Sequence, residues 1–321
     1  MNSKLGSWAR VALCFTVAHS GAAQSPRTMF VTVQPDVKLE VVDWGGSGRP
    51  VVLLAGRGQT AHSFTSFAPS LAAFYHVYSM TRRGYGASSK PATGYLADRL
   101  ADDVLAVIDS LRLTKPVVAG HSLAGQELSS LGSRHADKVA GLVYLDAGYG
   151  YAFYDSTRGN IRVDVAVLKQ RLERLQAAGS AGDVATMDTI FKGLLDQDLP
   201  AVRRDLTVMQ GMLGQFKQGT QLGPPVRTGI EGAIDDGGQR YTHIRGPVLA
   251  IFALANPPAG VGTDSQVTRQ WIAKDHDAIG TFARGIPQAK IVILPNANHF
   301  VFNSNPAEVL AQMRAFIDRL P

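Results

Sequence analysis

Pro116-Val117-Val118-Ala119-Gly120-His121-Ser122-Leu123-Ala124-Gly125 is the stretch whose reading decides the fold. An apolar run of strand character ends in a turn of small residues with serine at its apex, and a helical pattern follows. This is the strand–turn–helix context of a nucleophile elbow, where a strained turn lifts a serine hydroxyl above a sheet. Strand and helix pass close together at such a turn, so its neighbours must be small. The amide that follows, on Leu123, is then free to point at a developing oxyanion. Ala124 stands where the motif more often has glycine, a departure that keeps the steric logic. An ordinary glycine-rich turn would look similar in isolation, so the remaining motifs matter.

They occur in a fixed order along the chain. Val51-Val52-Leu53-Leu54-Ala55-Gly56-Arg57-Gly58 reads as a strand ending in a glycine loop. Tyr78 to Ser88, with Arg82-Arg83-Gly84-Tyr85-Gly86, reads as a second strand and an arginine–glycine loop. Ile291-Val292-Ile293-Leu294-Pro295-Asn296-Ala297-Asn298-His299-Phe300 is a last strand and a histidine-bearing loop. In these four motifs the chain resembles the α/β-hydrolase family, from about Val41 to the C-terminus. The resemblance implies an α/β fold: a mostly parallel sheet flanked by helices, with a helical cap inserted after the sixth core strand. It also implies Ser122 as nucleophile and His299 as base. Haloalkane dehalogenases and epoxide hydrolases share this fold but use an aspartate nucleophile, and serine at position 122 argues against both chemistries.

The strands follow from short apolar runs, as expected where helices cover both faces of a parallel sheet. Such runs occur at 51–54, 76–80, 117–119, 142–145, 248–252 and 291–294, after an antiparallel hairpin over 29–33 and 37–42. Leu96, Leu100, Val104, Val107, Ile108 and Leu111 recur at helical spacing. Asn305, Pro306 and Glu308 read as N-cap, first turn and capping-box partner of the last helix. Between Ala147 and Arg245 no good strand appears. Three helical stripes fit there: Leu168/Leu172/Leu175, Met187/Ile190/Phe191/Leu194 and Val202/Leu206/Met209/Leu213/Phe216. The expected organisation is a leader over 1–23, core over 24–146 and 246–321, and a cap or lid over 147–245. An insert at the carboxyl end of the sheet lies over the crevice where open α/β folds bind ligands.

Composition narrows the function classes. The chain has 321 residues, 45% hydrophobic and 18% charged, which is ordinary for a globular protein. No run approaches the roughly 18 apolar residues of a transmembrane helix. Lys4 and Arg10, the apolar stretch Val11–Ala18 and the small residues Gly21-Ala22-Ala23 read as a signal peptide cleaved before Gln24. The expected location is periplasmic or secreted. Cys14, the single cysteine, lies in that leader, so the mature chain would carry no disulfide. Losing Lys4 and Arg10 takes the formal charge from +6 to +4, and the remaining basic residues form no run; nucleic acid is not an expected partner. No phosphate loop, H-E-x-x-H or cysteine pair is present, so neither a metal nor a cofactor is expected.

Serine needs a base to become a nucleophile. Of the eight histidines, His299 lies on a loop between strand and helix that can swing its ring over the sheet. The elbow turns His121 away from Ser122, and His62 is a weaker candidate for lining the pocket. The oxyanion donors are the amides of Leu123 and Arg57, with Gly56 allowing the turn before Arg57. The Arg57 side chain could meet substrate or solvent. The acid departs from the commoner family pattern, because Asn256 occupies its usual place after the seventh strand. Asp146, at the end of Leu142-Val143-Tyr144-Leu145, is the preferred acid, and Asp264 is the alternative. These residues predict a serine hydrolase that cleaves carboxylic esters of small molecules. Amidase, aminopeptidase or lactonase chemistry could use the same residues, and a low-turnover binding protein on the same scaffold is a further alternative. Oligomeric state is not legible.

Overall fold

A computed structural model of the chain describes residues 25–215, 226–254 and 266–321. The leader and Asp264 lie outside the described residues. Eight strands form one sheet in the order β1-β2-β4-β3-β5-β6-β7-β8. They are β1 (Arg27–Gln34), β2 (Val37–Gly45), β3 (Pro50–Leu54), β4 (His76–Met80), β5 (Val117–His121), β6 (Gly141–Leu145), β7 (Val248–Ala253) and β8 (Ala289–Leu294). β1 and β2 form the antiparallel hairpin, β2 joins β4 antiparallel, and every later pairing is parallel.

The apolar runs explain why the sheet is covered on both sides. Successive residues of a strand face opposite ways. Val52, Leu54, Val118, Leu142, Tyr144, Val248, Ala250 and Phe252 enter one core cluster. Their chain neighbours Val51, Leu53, Val117, Val143, Leu145, Leu249 and Ile251 enter another. The first face is covered by Val104, Val107 and Ile108 of the helix Ala97–Ser110, Leu128 and Leu131 of Gly125–Arg134, and Phe282 of Gln266–Gly285. The second is covered by Phe64, Phe67 and Leu71, and by Val309, Met313 and Ile317 of Pro306–Ile317. Phe64 and Phe67 are therefore core residues.

Two local expectations are corrected. Asn305 sits before the last helix, but its side chain makes no cap bond, and its Oδ1 is buried without a partner. Its backbone (φ −131°, ψ 53°) leaves the extended geometry that aims an N-cap side chain at the first turn. The third stripe also differs from a packed one: Leu206, Met209 and Leu213 are exposed.

Among the described residues between β6 and β7, the regular structure is helical: Ile161–Ala181, Val184–Gly193, Leu199–Met212 and the short Gly229–Asp235. One π-helical turn, Leu194–Asp198, joins the second to the third. Pro200, lacking an N–H and crowding the turn before it, accounts for that irregularity. Buried Asp164 and Asp198 tie these helices together, Asp164 to Arg240 at 2.6 Å and to Arg204 at 3.2 Å, Asp198 to Arg171 and Arg240 at 2.7 Å each. The helix Gly229–Asp235 was not legible, because its glycines mask the period.

Candidate active site

The strand order reverses direction at β3, since β4 follows on one side and β5 on the other. Ligand crevices of open α/β sheets form at such a point, outside the carboxyl ends of the strands. Register brings those ends level: Leu54 pairs with Gly120, His121 with Leu145, and Leu145 with Ile251. The residues just beyond them are Ala55, Ser122 and Asp146.

Ser122 has φ 51°, a left-handed conformation that non-glycine residues adopt rarely and only when packing enforces it. The packing is visible around it. A Cβ added at Gly120 would lie 2.9 Å from the Ala124 Cβ, and one at Gly125 would lie 2.0 Å from the Ala147 carbonyl oxygen. Ala124 itself is fully buried, so alanine is small enough at that position.

Above the elbow, Ser122 Oγ lies 2.8 Å from His299 Nε2, and His299 Nδ1 lies 2.6 Å from Asp146 Oδ2. A hydroxyl so placed can pass its proton to the ring, and the carboxylate fixes the tautomer that leaves Nε2 free to accept it. Asp146 is buried at 3% exposure and has φ 49°. Its Oδ1 accepts from the Ala253 amide at 3.0 Å and from the Tyr149 hydroxyl at 2.6 Å. The Tyr151 ring lies 6.1 Å from that of Tyr149, beside the same carboxylate. His299 keeps 48% of its side chain exposed, so water can reach the ring.

His121 does not pair with Ser122. It is buried, its Nε2 donates to the His299 carbonyl at 2.9 Å, and its ring lies 4.6 Å from the His299 ring. Its Nδ1 faces the Gln59 carboxamide at 3.1 Å. Burial, reinforced by His299 nearby, pushes the His121 imidazole down to about 4, so it is neutral at pH 7.

The loop after β3 is held from below. Arg82 donates to the Ala55 carbonyl at 2.9 Å and the Gly56 carbonyl at 3.3 Å, and pairs with Glu127, with Nη2 to Oε2 at 2.9 Å. With both carbonyls turned toward Arg82, neither the Arg57 nor the Leu123 amide makes a hydrogen bond to a described residue. Gly56 is required here for a reason other than a positive φ. A Cβ there would lie 2.7 Å from His121 Nδ1 and 2.9 Å from Gln59 Oε1; the positive-φ glycine of the loop is Gly58, at 68°.

Two sequence expectations are resolved differently. The Arg57 side chain meets neither solvent alone nor an open pocket: it binds Glu231 at 2.6 Å and Asp235 at 2.5 Å on the helix Gly229–Asp235. Tyr85 donates to Glu231 as well, at 2.6 Å. His62 turns to buried Glu40 at 3.0 Å, and no contact joins it to Ser122 or His299 among the described residues. The residues that sequence reasoning missed are Tyr149, Tyr151, Gln59 and the Arg82–Glu127 pair. Gly148-Tyr149-Gly150-Tyr151, one residue beyond Asp146, was the available signal for the first two.

A family model described as the alpha/beta hydrolase family matches residues 51–312. The chain belongs to the alpha/beta hydrolase family. A relative in Pseudomonas putida, the dihydrolipoyllysine-residue acetyltransferase component of the acetoin cleaving system, is 28% identical over 275 residues, covering 85% of this chain and 64% of that protein. Epoxide hydrolase A of Mycobacterium tuberculosis is 37% identical over 113 residues, covering 34% of this chain and 35% of that one. The chain thus matches less than two thirds of the length of either relative. Among solved structures, E-2-(acetamidomethylene)succinate hydrolase superposes with a TM-score of 0.57 at 21% identity, covering 92% of this chain and all of that one. That likeness speaks for the alpha/beta hydrolase fold, which the eight-stranded sheet displays.

Proposed function

We propose that this alpha/beta hydrolase family member is a serine hydrolase that cleaves carboxylic esters through an acyl-enzyme. The observation that carries the reading is the unbroken chain from Ser122 Oγ to His299 Nε2 (2.8 Å) and from His299 Nδ1 to Asp146 Oδ2 (2.6 Å). His299 removes the hydroxyl proton as Ser122 attacks the ester carbonyl carbon. The negative oxygen of the tetrahedral intermediate takes hydrogen bonds from the Arg57 and Leu123 amides. His299 then gives the proton to the departing alkoxide, which leaves as an alcohol. Water, deprotonated by the same ring, attacks the acyl-Ser122 carbonyl, and collapse releases the carboxylic acid and restores the serine.

Leu123 clusters with Tyr95 and Leu100, and with Ile230 and Ile234 of the helix Gly229–Asp235, giving the approach an apolar wall. The half-exposed His299 leaves room for the water of deacylation. Esters are more electrophilic acyl donors than amides and make the lower demand on the same three residues.

A panel of p-nitrophenyl esters, a lactone and an aminoacyl anilide tests the reading, with Ser122→Ala as control. Ester turnover that falls by about 10⁶-fold in the variant is expected. Turnover that survives the substitution would contradict it. We further propose that the first 23 residues direct export, so that protein recovered from the periplasm or medium has a mass beginning at Gln24; an intact N-terminus there would overturn this.

A further inference from the structure

We propose that Tyr149 is a positioning residue for catalysis, holding the Asp146 carboxylate in the one rotation that serves His299. The inference rests on the serine-hydrolase reading of the same site.

Both carboxylate oxygens of Asp146 are engaged. Oδ2 is taken by His299 at 2.6 Å. Oδ1 has the Ala253 amide at 3.0 Å and the Tyr149 hydroxyl at 2.6 Å. One donor on Oδ1 would leave the carboxyl group free to pivot about that contact, swinging Oδ2 off the imidazole. A second donor from a different direction removes the pivot. The backbone amide of β7 supplies the first anchor, and the phenol supplies the second.

The local fold is built to bring the phenol there. Asp146 and Tyr149 are three residues apart, so the chain must double back directly after β6. Asp146 begins the reversal with φ 49°. Gly148 then packs closely on the Phe252 ring, which a Cβ on it would meet at 2.7 Å. The Tyr149 ring in turn stands edge-on to Phe252, at 5.9 Å and 85°, which fixes its direction toward the carboxylate. Phe252 is fully buried, so this support is rigid.

The phenol remains a donor under all working conditions. Burial, together with the adjacent Asp146 charge, pushes its ionisation well above the usual tyrosine range. Hydrogen bonds of a neutral donor to a carboxylate are short and strong, and 2.6 Å fits that class. Nothing in the reaction requires the phenol proton to transfer. Its role is to hold, not to react.

The test compares Tyr149→Phe and Tyr149→Leu with the wild-type chain in two measurements. In ester hydrolysis, Tyr149→Phe should lower kcat about tenfold with KM within twofold, because substrate contacts are untouched. In proton NMR, the downfield resonance of the proton shared by His299 and Asp146 should broaden or disappear as the carboxylate gains freedom. Tyr149→Leu, which also removes the ring packed on Phe252, should lower the melting temperature further yet match Tyr149→Phe in kcat. A Tyr149→Phe enzyme with wild-type kcat and an unchanged resonance would overturn the proposal. So would a kcat loss that follows melting temperature across the two variants with the resonance intact. The NMR measurement needs no turnover, so it decides the role of Tyr149 even if the wild-type chain cleaves no ester.

Discussion

Replacing Asp146 by asparagine is the most revealing perturbation, because the site dictates how the new amide must sit. The Ala253 amide can only donate, and it points at Oδ1 from 3.0 Å. The asparagine oxygen is therefore kept on that side, next to the Tyr149 hydroxyl, and the NH₂ group is turned to His299. Its protons would face Nδ1, which then has to accept, and the ring proton moves to Nε2. That nitrogen lies 2.8 Å from Ser122 Oγ and would no longer be a base. At 3% exposure the site offers little room for the amide to flip or for water to intervene. A wrong tautomer of this kind costs about 10⁴-fold in turnover, equivalent to about 5.4 kcal/mol of lost transition-state stabilisation at about 1.36 kcal/mol per tenfold. The assay is kcat and kcat/KM on a p-nitrophenyl ester, with the far-UV spectrum as a check on folding. Asp264→Asn, the alternative acid, should cost less than threefold. A folded Asp146→Asn enzyme that loses less than about tenfold would show that this carboxylate does not set the His299 tautomer, and a large loss in Asp264→Asn would move the acid to that residue.

Glu127→Gln should lower unfolding free energy by about 3–5 kcal/mol, since it strands the buried Arg82 guanidinium beneath the loop after β3. Urea denaturation reads this, and a change under about 1 kcal/mol would show that the pair is not needed. The second expectation concerns acid stability. His121 is pushed down to about 4 when folded and returns toward 6.5 when unfolded, so between these values the unfolded chain binds more protons. Its contribution is present above pH 6.5 and is lost as pH falls toward 4, by at most about 3 kcal/mol. Urea midpoints at pH 7 and pH 5 should fall more for the wild type than for His121→Gln; equal falls would contradict it.

The parallel sheet was legible because its strands are short apolar runs whose alternate residues fill two cores, and the boundaries at His76–Met80 coincide with the run itself. Ser122 and His299 were legible because strained turns and histidine loops carry local signatures. Asp146 could be preferred because it ends a strand beside the elbow. What escaped notice depends on long-range meetings rather than on spacing. Arg57 and Glu231 are 174 positions apart, and no local pattern tells that a loop arginine binds a glycine-flanked helix. Tyr149 was hidden by its own neighbourhood: residues after Ala147 read as the start of the insert, whereas Gly148 and Tyr149 still pack on the Phe252 ring. The exposed Leu206, Met209 and Leu213 had the same period as a buried stripe, and periodicity alone does not say which face is covered.

Covalent trapping decides whether Ser122 is an activated nucleophile. A fluorophosphonate should react with the wild-type protein in a time-dependent way, and peptide mass spectrometry should place the adduct on Ser122. The Ser122→Ala protein should stay unmodified, and His299→Ala should react far more slowly. A folded wild-type protein that takes up no probe, or takes it up at a different residue, would contradict the account.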